Sequence, residues 1–545
     1  MSQAPTDQPA ESSSVFAPLR NRVFAWLWVG VVASSIGTFA QTVGAQWLFI
    51  QDPSAATIVS LVAAANALPV MLLALPAGVI SDAFDRRQLM IGIQLYAISI
   101  AVLLAVLAWT GSLSAPLLLA FTFLIGSGLA LQLPTWQPLM TELVPRSQIA
   151  AATRLDMINV NVARAAGPAI AGALIAAWGV PPVFAFNACC TVILLAALLA
   201  WRRPSMVSTQ RERFLPALRA GARYVRHEPH VRTILLRVVL FVAPATALWA
   251  LLPLIANQQL AAGASGYGIM FGALGVGATL GALTLGHVKH RVSSNTILTA
   301  AAVIYGLAFG LIMLAPGLWV AVPLLIVAGY CWTATIATLN AELQLFLPGW
   351  VRARALAIYL MTFTGSQVIA SPVWGQVTQH WGLGLAVTVA AALVVVAGVG
   401  AIGLRIPESA QLDRTPLAYW AESPIDIDPA SDTGPVQVMV EYQIAPDRVT
   451  EWLAAMDAMR RSRLRSGAVR WELYRVAEST DGFIEVFTVA SWAEHERQHT
   501  ERLTADDQAI EQHAFSFATT RPVGRHLVPP TLAFRPSRAD ERPPE

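Results

Sequence analysis

Residues 78–87 read GVISDAFDRR, a charged turn between two long apolar stretches at 56–80 and 88–109. A membrane-spanning helix needs roughly 20 apolar residues to cross about 30 Å of hydrocarbon, and both stretches are long enough. Ten more stretches of this kind lie between residues 23 and 404. The sequence therefore predicts an all-α membrane domain that crosses the bilayer twelve times.

The basic residues between the predicted spans fall in alternate connections. Arg86 and Arg87 lie in the second connection, whereas the first and third, near Asp52 and Thr110, contain no Lys or Arg. Cytoplasmic loops carry an excess of Lys and Arg, so this pattern places both chain ends in the cytoplasm. A single Lys among 36 basic residues favours a GC-rich bacterial genome. We therefore expect a multi-pass protein of a bacterial inner (plasma) membrane.

Charge also separates two parts of the chain. Residues 405–545 hold 23 acidic and 16 basic residues, whereas the preceding part is net basic. The positive charge of the part before residue 405 lies at helix ends, where membrane lipid headgroups are the natural partner. We therefore expect no nucleic-acid partner. The expected segments are a disordered leader (1–15), an N-terminal six-helix half (16–201), a cytoplasmic loop with an amphipathic helix (202–232), a C-terminal six-helix half (233–404), a linker (405–434), a soluble α+β domain (435–530) and a disordered tail (531–545).

An internal repeat relates the two predicted halves. Residues 142–179 and 345–382 share a pattern of two prolines followed by a glycine and a tryptophan. The two prolines are 23 residues apart in the first copy and 24 in the second, and the glycine precedes the tryptophan by six residues in both. Parallel repeats of this kind, related by an axis along the membrane normal, are typical of transporters. The sequence therefore predicts a transporter built from two similar six-helix halves.

The turn at 78–87 resembles the signature loop of the major facilitator superfamily, G-x-x-x-D-x-x-G-R-[RK]. The matching residues are Gly78, Asp82, Arg86 and Arg87, and Asp85 stands where the family has glycine. The resemblance implies the major facilitator fold, close helix packing at Gly78, and a gating latch of Asp82 and Arg86 with a neighbouring helix end. The alternative is an ordinary charged turn that follows the distribution of basic residues.

A second motif lies in the predicted fifth span. Arg164, Gly167, Pro168 and Gly172 belong to a segment that resembles the G-P-x-x-G-G sequence of exporters in the same superfamily. Glycines let helices approach closely, and proline removes a backbone donor and bends the helix. The resemblance favours export over uptake, and a purely structural kink is the alternative.

Arg164 is a charged residue well inside a predicted span. Such a charge is costly in a membrane and normally faces a cavity or a partner. Two roles are open for Arg164: contact with an anionic group of a substrate, or pairing with Asp156 or Glu142.

Polar and aromatic residues within the spans are candidates to line a central substrate cavity. No Asp or Glu lies near the middle of a predicted span. Amide and indole side chains suit a bulky, largely apolar or aromatic small molecule. The candidate cavity residues are Gln41, Asn66, Gln132, Trp136, Asn161, Arg164, Trp332, Asn340 and Gln367.

The pattern after residue 435 predicts β-α-β-β-α-β, a ferredoxin-like arrangement similar to small monooxygenase-like modules. His495 and His499 lie one helical turn apart, a spacing that can bind metal. The flanking Glu and Arg residues indicate a solvated helix face instead, and the sequence offers no third ligand at a matching spacing. We therefore expect no catalytic residue, no cofactor and no metal site, and a role in dimerisation or docking against the rest of the chain.

With these features the chain resembles an efflux subgroup of the major facilitator superfamily. The subgroup includes enterobactin and macrolide exporters, and its members are called transmembrane secretion effectors. The resemblance implies secondary active export of a small molecule by alternating access, with protons as the driving ion, and no enzymatic activity. Two alternatives stay open: an uptake symporter, and a membrane-tethered enzyme with an oxidative C-terminal domain.

Overall fold

The structure is a computed structural model, and it describes residues 16–201, 214–406, 417 and 434–530. The predicted leader at 1–15, residues 202–213 of the loop, nearly all of the linker and the tail at 531–545 lie outside the described residues.

Within the described residues, twelve helices are long and apolar enough to cross a membrane, as the sequence predicts. One further helix, α7 (Phe214–His227), lies in the loop where an amphipathic helix is expected. The spanning helices are α1 (Arg22–Trp47), α2 (Ala55–Ala83), α3 (Arg86–Trp109), α4 (Ala115–Glu142), α5 (Ile149–Trp178), α6 (Pro181–Ala200), α8 (Pro229–Leu254), α9 (Gly263–Lys289), α10 (Ser294–Leu311), α11 (Leu318–Phe346), α12 (Gly349–Trp381) and α13 (Leu383–Gly400).

Local chemistry explains where several spans begin and end. The Asp85 side chain accepts a hydrogen bond of 2.9 Å from the backbone N–H of Gln88, so it caps the N-terminus of α3. Helices α5 and α12 each end at a glycine, Gly179 and Gly382, with φ of 83° and 89°. Only glycine adopts this left-handed conformation without strain. The sequence repeat is therefore also a repeat of helix termini.

Two helices begin earlier than their apolar stretches predict. The fifth and eleventh apolar stretches cover residues 157–178 and 355–378 and predict spans of that length, but α5 begins at Ile149 and α12 at Gly349. The additional turns are rich in Ala and Arg, which favour helix although they do not contribute an apolar window. An apolar window therefore misses helix that continues beyond the hydrocarbon.

The chain divides into two compact units. The first contains Met1–Gln210, Leu235–Leu339 and Tyr359–Ile406, and the second contains Arg211–Ile234, Asn340–Ile358 and Pro407–Glu545. In the first unit α1 packs on α5 and α6, α2 on α4, α3 on α6, and α10 on α13. Helix α5 of the first half packs along α9 of the second half.

The described part of the C-terminal domain has a four-stranded antiparallel sheet in the order β2-β3-β1-β4. Helix α14 (Val449–Ser466) joins β1 to β2, while α15 (Trp492–Arg497) and α16 (Ala505–Phe515) lie between β3 and β4. A single π-helical turn, Gln498–Arg502, follows α15. The strands are β1 (Val436–Gln443), β2 (Ala468–Arg475), β3 (Gly482–Val489) and β4 (Val523–Leu527).

The core of this domain follows from the alternation in β1. Val436, Val438, Val440 and Tyr442 are all buried, which is the period of two that a half-buried strand requires. Trp452 of α14 packs on this face with the other helices' apolar residues. Burial of each large apolar side chain contributes about 1.5–3 kcal/mol, so this face holds the domain together.

Candidate functional site

The predicted gating loop links three helix ends. Arg86 at the start of α3 forms an ion pair with Glu142 at the end of α4, with 2.6 Å between Nη1 and Oε1. Arg87 donates hydrogen bonds to the backbone carbonyls of Leu198 and Leu199 at the end of α6. We call this end of the bundle, where Arg86 and Arg87 lie, the basic end.

The other two residues of the loop motif give a different result. The side chain of Asp82 lies outside the described part of the chain, so its role in a latch stays a prediction. A β-carbon at Gly78 would meet no described atom within 4 Å. The expectation of close helix packing at Gly78 is therefore not met in this conformation.

The glycines of the span-5 motif lie at two helix contacts. A β-carbon at Gly167 would lie 2.7 Å from the carbonyl oxygen of Ile36 in α1. A β-carbon at Gly172 would lie 2.8 Å from the carbonyl oxygen of Ala264, and one at Gly268 would lie 2.5 Å from that of Pro168. No larger residue fits at such distances, so the motif permits the close approach of α5 to α1 and α9.

The repeated segment makes the same contact on the opposite side of the bundle. Gly375 of α12 corresponds to Gly172 in the repeat, and a β-carbon there would lie 2.8 Å from the carbonyl oxygen of Ala56 and against Ser60 of α2. Ala264 and Ala56 are each the second residue of a helix in the opposite half. Both halves therefore insert a glycine against a helix start of the other half.

Polar and aromatic contacts accompany this packing at the end opposite to the basic end. Tyr267 of α9 donates a hydrogen bond to Gln46 of α1, and its ring stacks on Trp47 with centroids 5.6 Å apart. Gln379 of α12 donates to the backbone carbonyl of Pro53 at 2.9 Å. These contacts close the first unit between its two halves at the non-basic end.

Arg164 is half-buried in α5, and its guanidinium lies 5.9 Å from the ring centroid of Phe39. Neither of its two expected partners contacts it. Glu142 pairs with Arg86, and Asp156 accepts a hydrogen bond of 2.9 Å from the indole of Trp136. Among the described side chains Arg164 forms no ion pair, so the expectation of pairing with Asp156 or Glu142 is not met.

The candidate cavity residues fall into two groups. Several are held by neighbours: Gln41 accepts from Asn187, Gln132 accepts from Gln94 at 3.3 Å, and Asn161 donates to its own helix. Trp136 is buried in an apolar cluster with Leu139 and Leu155, so it is a packing residue. Asn340 belongs to the second unit, where it accepts from Gln344. The half-buried candidates in the first unit with no such hydrogen bond among the described residues are Asn66, Arg164, Trp332 and Gln367.

Trp332 lies at the centre of an aromatic cluster in the second half. Its ring is 5.5 Å from that of Trp249, 5.7 Å from Phe241 and 6.1 Å from Phe363. The pairs with Trp249 and Phe363 are edge-to-face, and such pairs are favourable at these separations. Trp332 is itself half-buried, so part of its ring is exposed at the edge of the cluster.

The second unit contains a buried ion-pair network. Arg465 of α14 lies 2.6 Å from Glu228, which follows α7, and 2.6 Å from Asp507 of α16. Burial alone would raise the pKa of Asp507, but the charge of Arg465 and hydrogen bonds from Ser462, Arg465 and Thr504 lower the pKa overall. Asp507 is therefore ionised and anchored at neutral pH.

The described large apolar residues of α7, Tyr224 and Val225, are covered by protein in the same unit. The buried ring of Tyr224 meets the ring of Trp350 edge-on at 5.6 Å, and α7 packs on α14. The basic, amphipathic sequence of this segment by itself predicts a helix that lies at the membrane surface. In the structure α7 is a helix whose buried residues contact other parts of the same unit.

The structure brings a third histidine, His526, to the His495–His499 pair, although residue spacing did not predict one. Antiparallel pairing of β4 with β1 sets His526 opposite Val438, and the ligand atoms of the three histidines all lie within 4.8 Å of one another. Burial and nearby His526 lower the pKa of His495 to about 3, and burial with the neighbouring His495 lowers the pKa of His499 to about 2. Both rings are therefore neutral at neutral pH. A contact between a helix and a distant strand leaves no signal in residue spacing.

The chain matches the family model described as "Transmembrane secretion effector" over residues 13–531. The Staphyloferrin A transporter of Staphylococcus aureus is 22% identical over 275 residues, or 50% of this chain and 69% of that protein. Macrolide efflux protein A of Streptococcus pyogenes is 22% identical over 43% of this chain and 58% of its own length. Enterobactin exporter EntS of Escherichia coli is 28% identical over 36% of this chain and 46% of its own length.

Solved transporters share the fold at low sequence identity. A mutant of the nucleoside transporter NupG superposes with a TM-score of 0.59 and 12% identity over 71% of this chain and 99% of its own. An inward-facing, occupied bacterial homolog of the human lysosomal transporter Spinster gives a TM-score of 0.57 and 15% identity over 71% and 97%. The family match covers nearly the whole chain and agrees with the twelve spans in two repeated halves. The chain therefore belongs to the transmembrane secretion effector family and is a transporter of the major facilitator type.

Proposed function

We propose that this protein exports a bulky, largely apolar or aromatic small molecule across a bacterial inner membrane by alternating access. The basic end is then cytoplasmic, as the distribution of Arg indicates, and both chain ends lie in the cytoplasm. The relatives named above transport a siderophore, efflux a macrolide, and export enterobactin, which supports a siderophore- or drug-like substrate.

The observation that carries this proposal is the paired glycine contact of Gly172 and Gly375. Each glycine belongs to one half and meets the start of a helix in the other half, so the two contacts close one end of the bundle together. A rocking motion of the halves breaks both contacts at once because they occupy equivalent positions. That is the behaviour that alternating access between two repeats requires.

The composition of the first unit supports the class of substrate. The aromatic cluster around Trp332 offers stacking surface, and Arg164 offers a cation without a carboxylate partner among the described residues. A charge inside a membrane protein is expensive, so an unpaired arginine at this depth indicates a ligand-binding role. An aromatic or apolar molecule with an anionic group or a strong hydrogen-bond acceptor fits both features.

Proton coupling is the energy source that we propose. Asp156 of α5 and Glu342 of α11 are carboxylates within spanning helices, and Glu342 is only 7% exposed. A buried carboxyl group can exchange a proton when the conformation changes its access to water. We assign proton exchange to these two carboxyl groups. The replacements Asp156→Asn and Glu342→Gln test the two assignments separately.

The two alternatives are separable by experiment. Uptake and export use the same fold and differ in direction, so vesicles of known sidedness distinguish them. The relatives and the structural neighbours are transporters and not enzymes, which counts against an oxidative role for the C-terminal domain.

A deletion strain tests the proposed substrate class. We expect the strain to accumulate, or to become sensitive to, at least one compound in a panel of siderophores and hydrophobic antibiotics. Expression of the unmodified protein in the deletion strain should reverse the accumulation or the sensitivity. Expression of the Arg164→Ala variant should not reverse it if the exported compound carries an anionic group. A panel in which the deletion changes neither accumulation nor sensitivity would contradict the proposal.

We also propose that the C-terminal domain is ferredoxin-like and acts as an accessory module that docks on α7 and on the start of α12. The buried ion pair of Arg465 with Glu228 and the packing of Tyr224 on Trp350 support docking within one chain. Dimerisation is the alternative. A purified detergent complex that contains the protein mass of two chains would favour dimerisation.

A further inference from the structure

Three histidines from separate elements meet at one edge of the C-terminal sheet. His495 lies in α15, His499 in the following π-turn and His526 in β4. Nε2 of His495 and Nε2 of His499 are 3.1 Å apart, and the ring centroids of His495 and His526 are 4.8 Å apart. The indole of Trp492 packs against both His495 and His526, at 5.5 and 5.6 Å. The rings therefore converge in a packed environment.

This geometry is close to what a tetrahedral metal requires. Zinc binds imidazole nitrogen at about 2.0–2.1 Å, so two nitrogens in its coordination sphere are separated by about 3.3 Å. The pair formed by His495 and His499 already has this separation. The ligand atom of His526 falls within 4.8 Å of the other two, which places a third nitrogen beside the pair.

The contact between His495 and His499 does not by itself require a third imidazole. Two neutral imidazoles whose nitrogens approach to 3.1 Å share at most one proton, so one hydrogen bond is the most that they gain from each other. A metal ion replaces that single bond with three coordinate bonds. A third imidazole beside this pair is therefore better explained by a shared ion than by packing.

We propose that His495, His499 and His526 form a binding site for a divalent late transition metal. Three neutral nitrogen ligands suit Zn²⁺, Cu²⁺ and Ni²⁺, and they suit Mg²⁺ and Ca²⁺ poorly because those ions prefer oxygen. His495 is buried, whereas His499 and His526 are half-buried, so an ion reaches the site from solvent. Three protein ligands leave a fourth coordination position for water or for a small ligand.

The site shares a turn with a contact to another segment of the second unit. Arg502 closes the π-turn that begins one residue before His499, and its guanidinium lies 4.9 Å from the ring centroid of Trp350 near the start of α12. Arg502 also pairs with Glu494 at 2.6 Å. Metal binding therefore fixes the turn that carries this contact, so occupancy stabilises the second unit as well as the site.

Cobalt binding to the full-length protein tests the proposal. The protein, purified in detergent with an affinity tag that contains no histidine, is stripped with chelator and titrated with Co²⁺. We expect one Co²⁺ per chain, the intense visible absorption of a four- or five-coordinate ion, and displacement by Zn²⁺. Zn²⁺ should also raise the apparent melting temperature of the stripped protein.

Single variants separate a metal site from general binding. His526→Ala and His499→Ala should each weaken Co²⁺ binding by about tenfold or more, while the exposed His513→Ala should bind as the unmodified protein does. Near-ultraviolet circular dichroism of the metal-free variants checks that Trp492 keeps its environment, and His499→Ala serves where His526→Ala does not fold. Equal Co²⁺ binding by His499→Ala and the unmodified protein, or absorption of hexaaquo Co²⁺ alone, would overturn the proposal.

Discussion

Gly172 of α5 and Gly375 of α12 occupy equivalent positions in the two halves, and a β-carbon on either would lie 2.8 Å from a carbonyl oxygen in the opposite half. The oxygens belong to Ala264 and Ala56, the second residues of α9 and α2. A close approach of this kind is stable only while both glycines stay free of side chains. The closed non-basic end therefore depends on two symmetry-related pairs of helices.

Enlarging Gly268 should open the non-basic end. A β-carbon at this position would lie 2.5 Å from the carbonyl oxygen of Pro168, and overpacking typically costs about 1–3 kcal/mol. We expect Gly268→Leu to raise the population of the open state by at least about fivefold, since each 1.4 kcal/mol is a factor of about ten. Ser60, which is 0% exposed on the other side of the bundle, provides the reporter position.

The measurement is the rate at which a membrane-impermeant maleimide labels Ser60→Cys in a background without the native cysteines. The matched control is Gly286→Leu in the same helix, because a β-carbon at Gly286 would meet no described atom within 4 Å. We expect faster labelling with Gly268→Leu and no change with the control. Unchanged labelling in both would show that the glycine contacts do not hold this end closed.

The Arg86–Glu142 pair should matter for transport more than for stability. Both side chains are about one-quarter exposed, and such pairs contribute at most about 1 kcal/mol to folding. A change of that size shifts a conformational equilibrium by about fivefold, so Arg86→Gln should reduce transport by about that factor. The charge-swapped double variant Arg86→Glu/Glu142→Arg should recover part of the loss, and the exposed Arg146→Gln is the control. A double variant no better than the single ones would argue against a functional pair.

Neutralising Arg164 should weaken binding of anionic substrates in particular. A hydrogen bond to a charged group is worth about 1.5–3 kcal/mol, which corresponds to about 10- to 150-fold in affinity. We expect Arg164→Ala to raise the apparent KM by a factor in this range for an anionic substrate, to leave a neutral one unaffected, and to keep the melting temperature. Arg164→Lys should lie between the two. A loss of stability without any change in substrate affinity would assign Arg164 a structural role.

Removing Arg465 should destabilise the second unit. Its loss leaves the buried carboxylates of Glu228 and Asp507 without their shared arginine, and breaking a buried pair in this way costs about 3–5 kcal/mol. We expect Arg465→Ala to make the C-terminal domain sensitive to limited proteolysis, while Arg470→Ala, at an exposed pair, has no effect. Equal resistance of both variants would remove the support for docking through Glu228.

The membrane domain was predictable because its signal is local. Apolar length fixes the number of spans, and the repeat marks both glycine-capped helix ends, Gly179 and Gly382. The starts of α5 and α12 were missed because helix continues through Ala- and Arg-rich turns outside the hydrocarbon. A search for apolar stretches detects the part of a helix that lies in the hydrocarbon and misses the turns that extend beyond it.

The candidate site was only partly predictable because its geometry depends on distant pairs. The sequence singles out Gly172, but its partner Gly268 is one of many glycines in α9 and has no distinguishing neighbour. The structure brings His526 to His495 through sheet pairing, which residue spacing does not encode. The repeat was the one sequence signal that could have identified Gly375.

Accumulation of substrate in vesicles of defined sidedness tests the proposed export most directly. Inside-out membrane vesicles that contain the protein are energised to be acidic inside and supplied with a labelled compound identified by the deletion strain. The account predicts accumulation inside these vesicles, its loss when the pH gradient is collapsed, and no accumulation in vesicles without the protein. Accumulation in right-side-out vesicles instead, or accumulation that survives collapse of the gradient, would contradict proton-driven export.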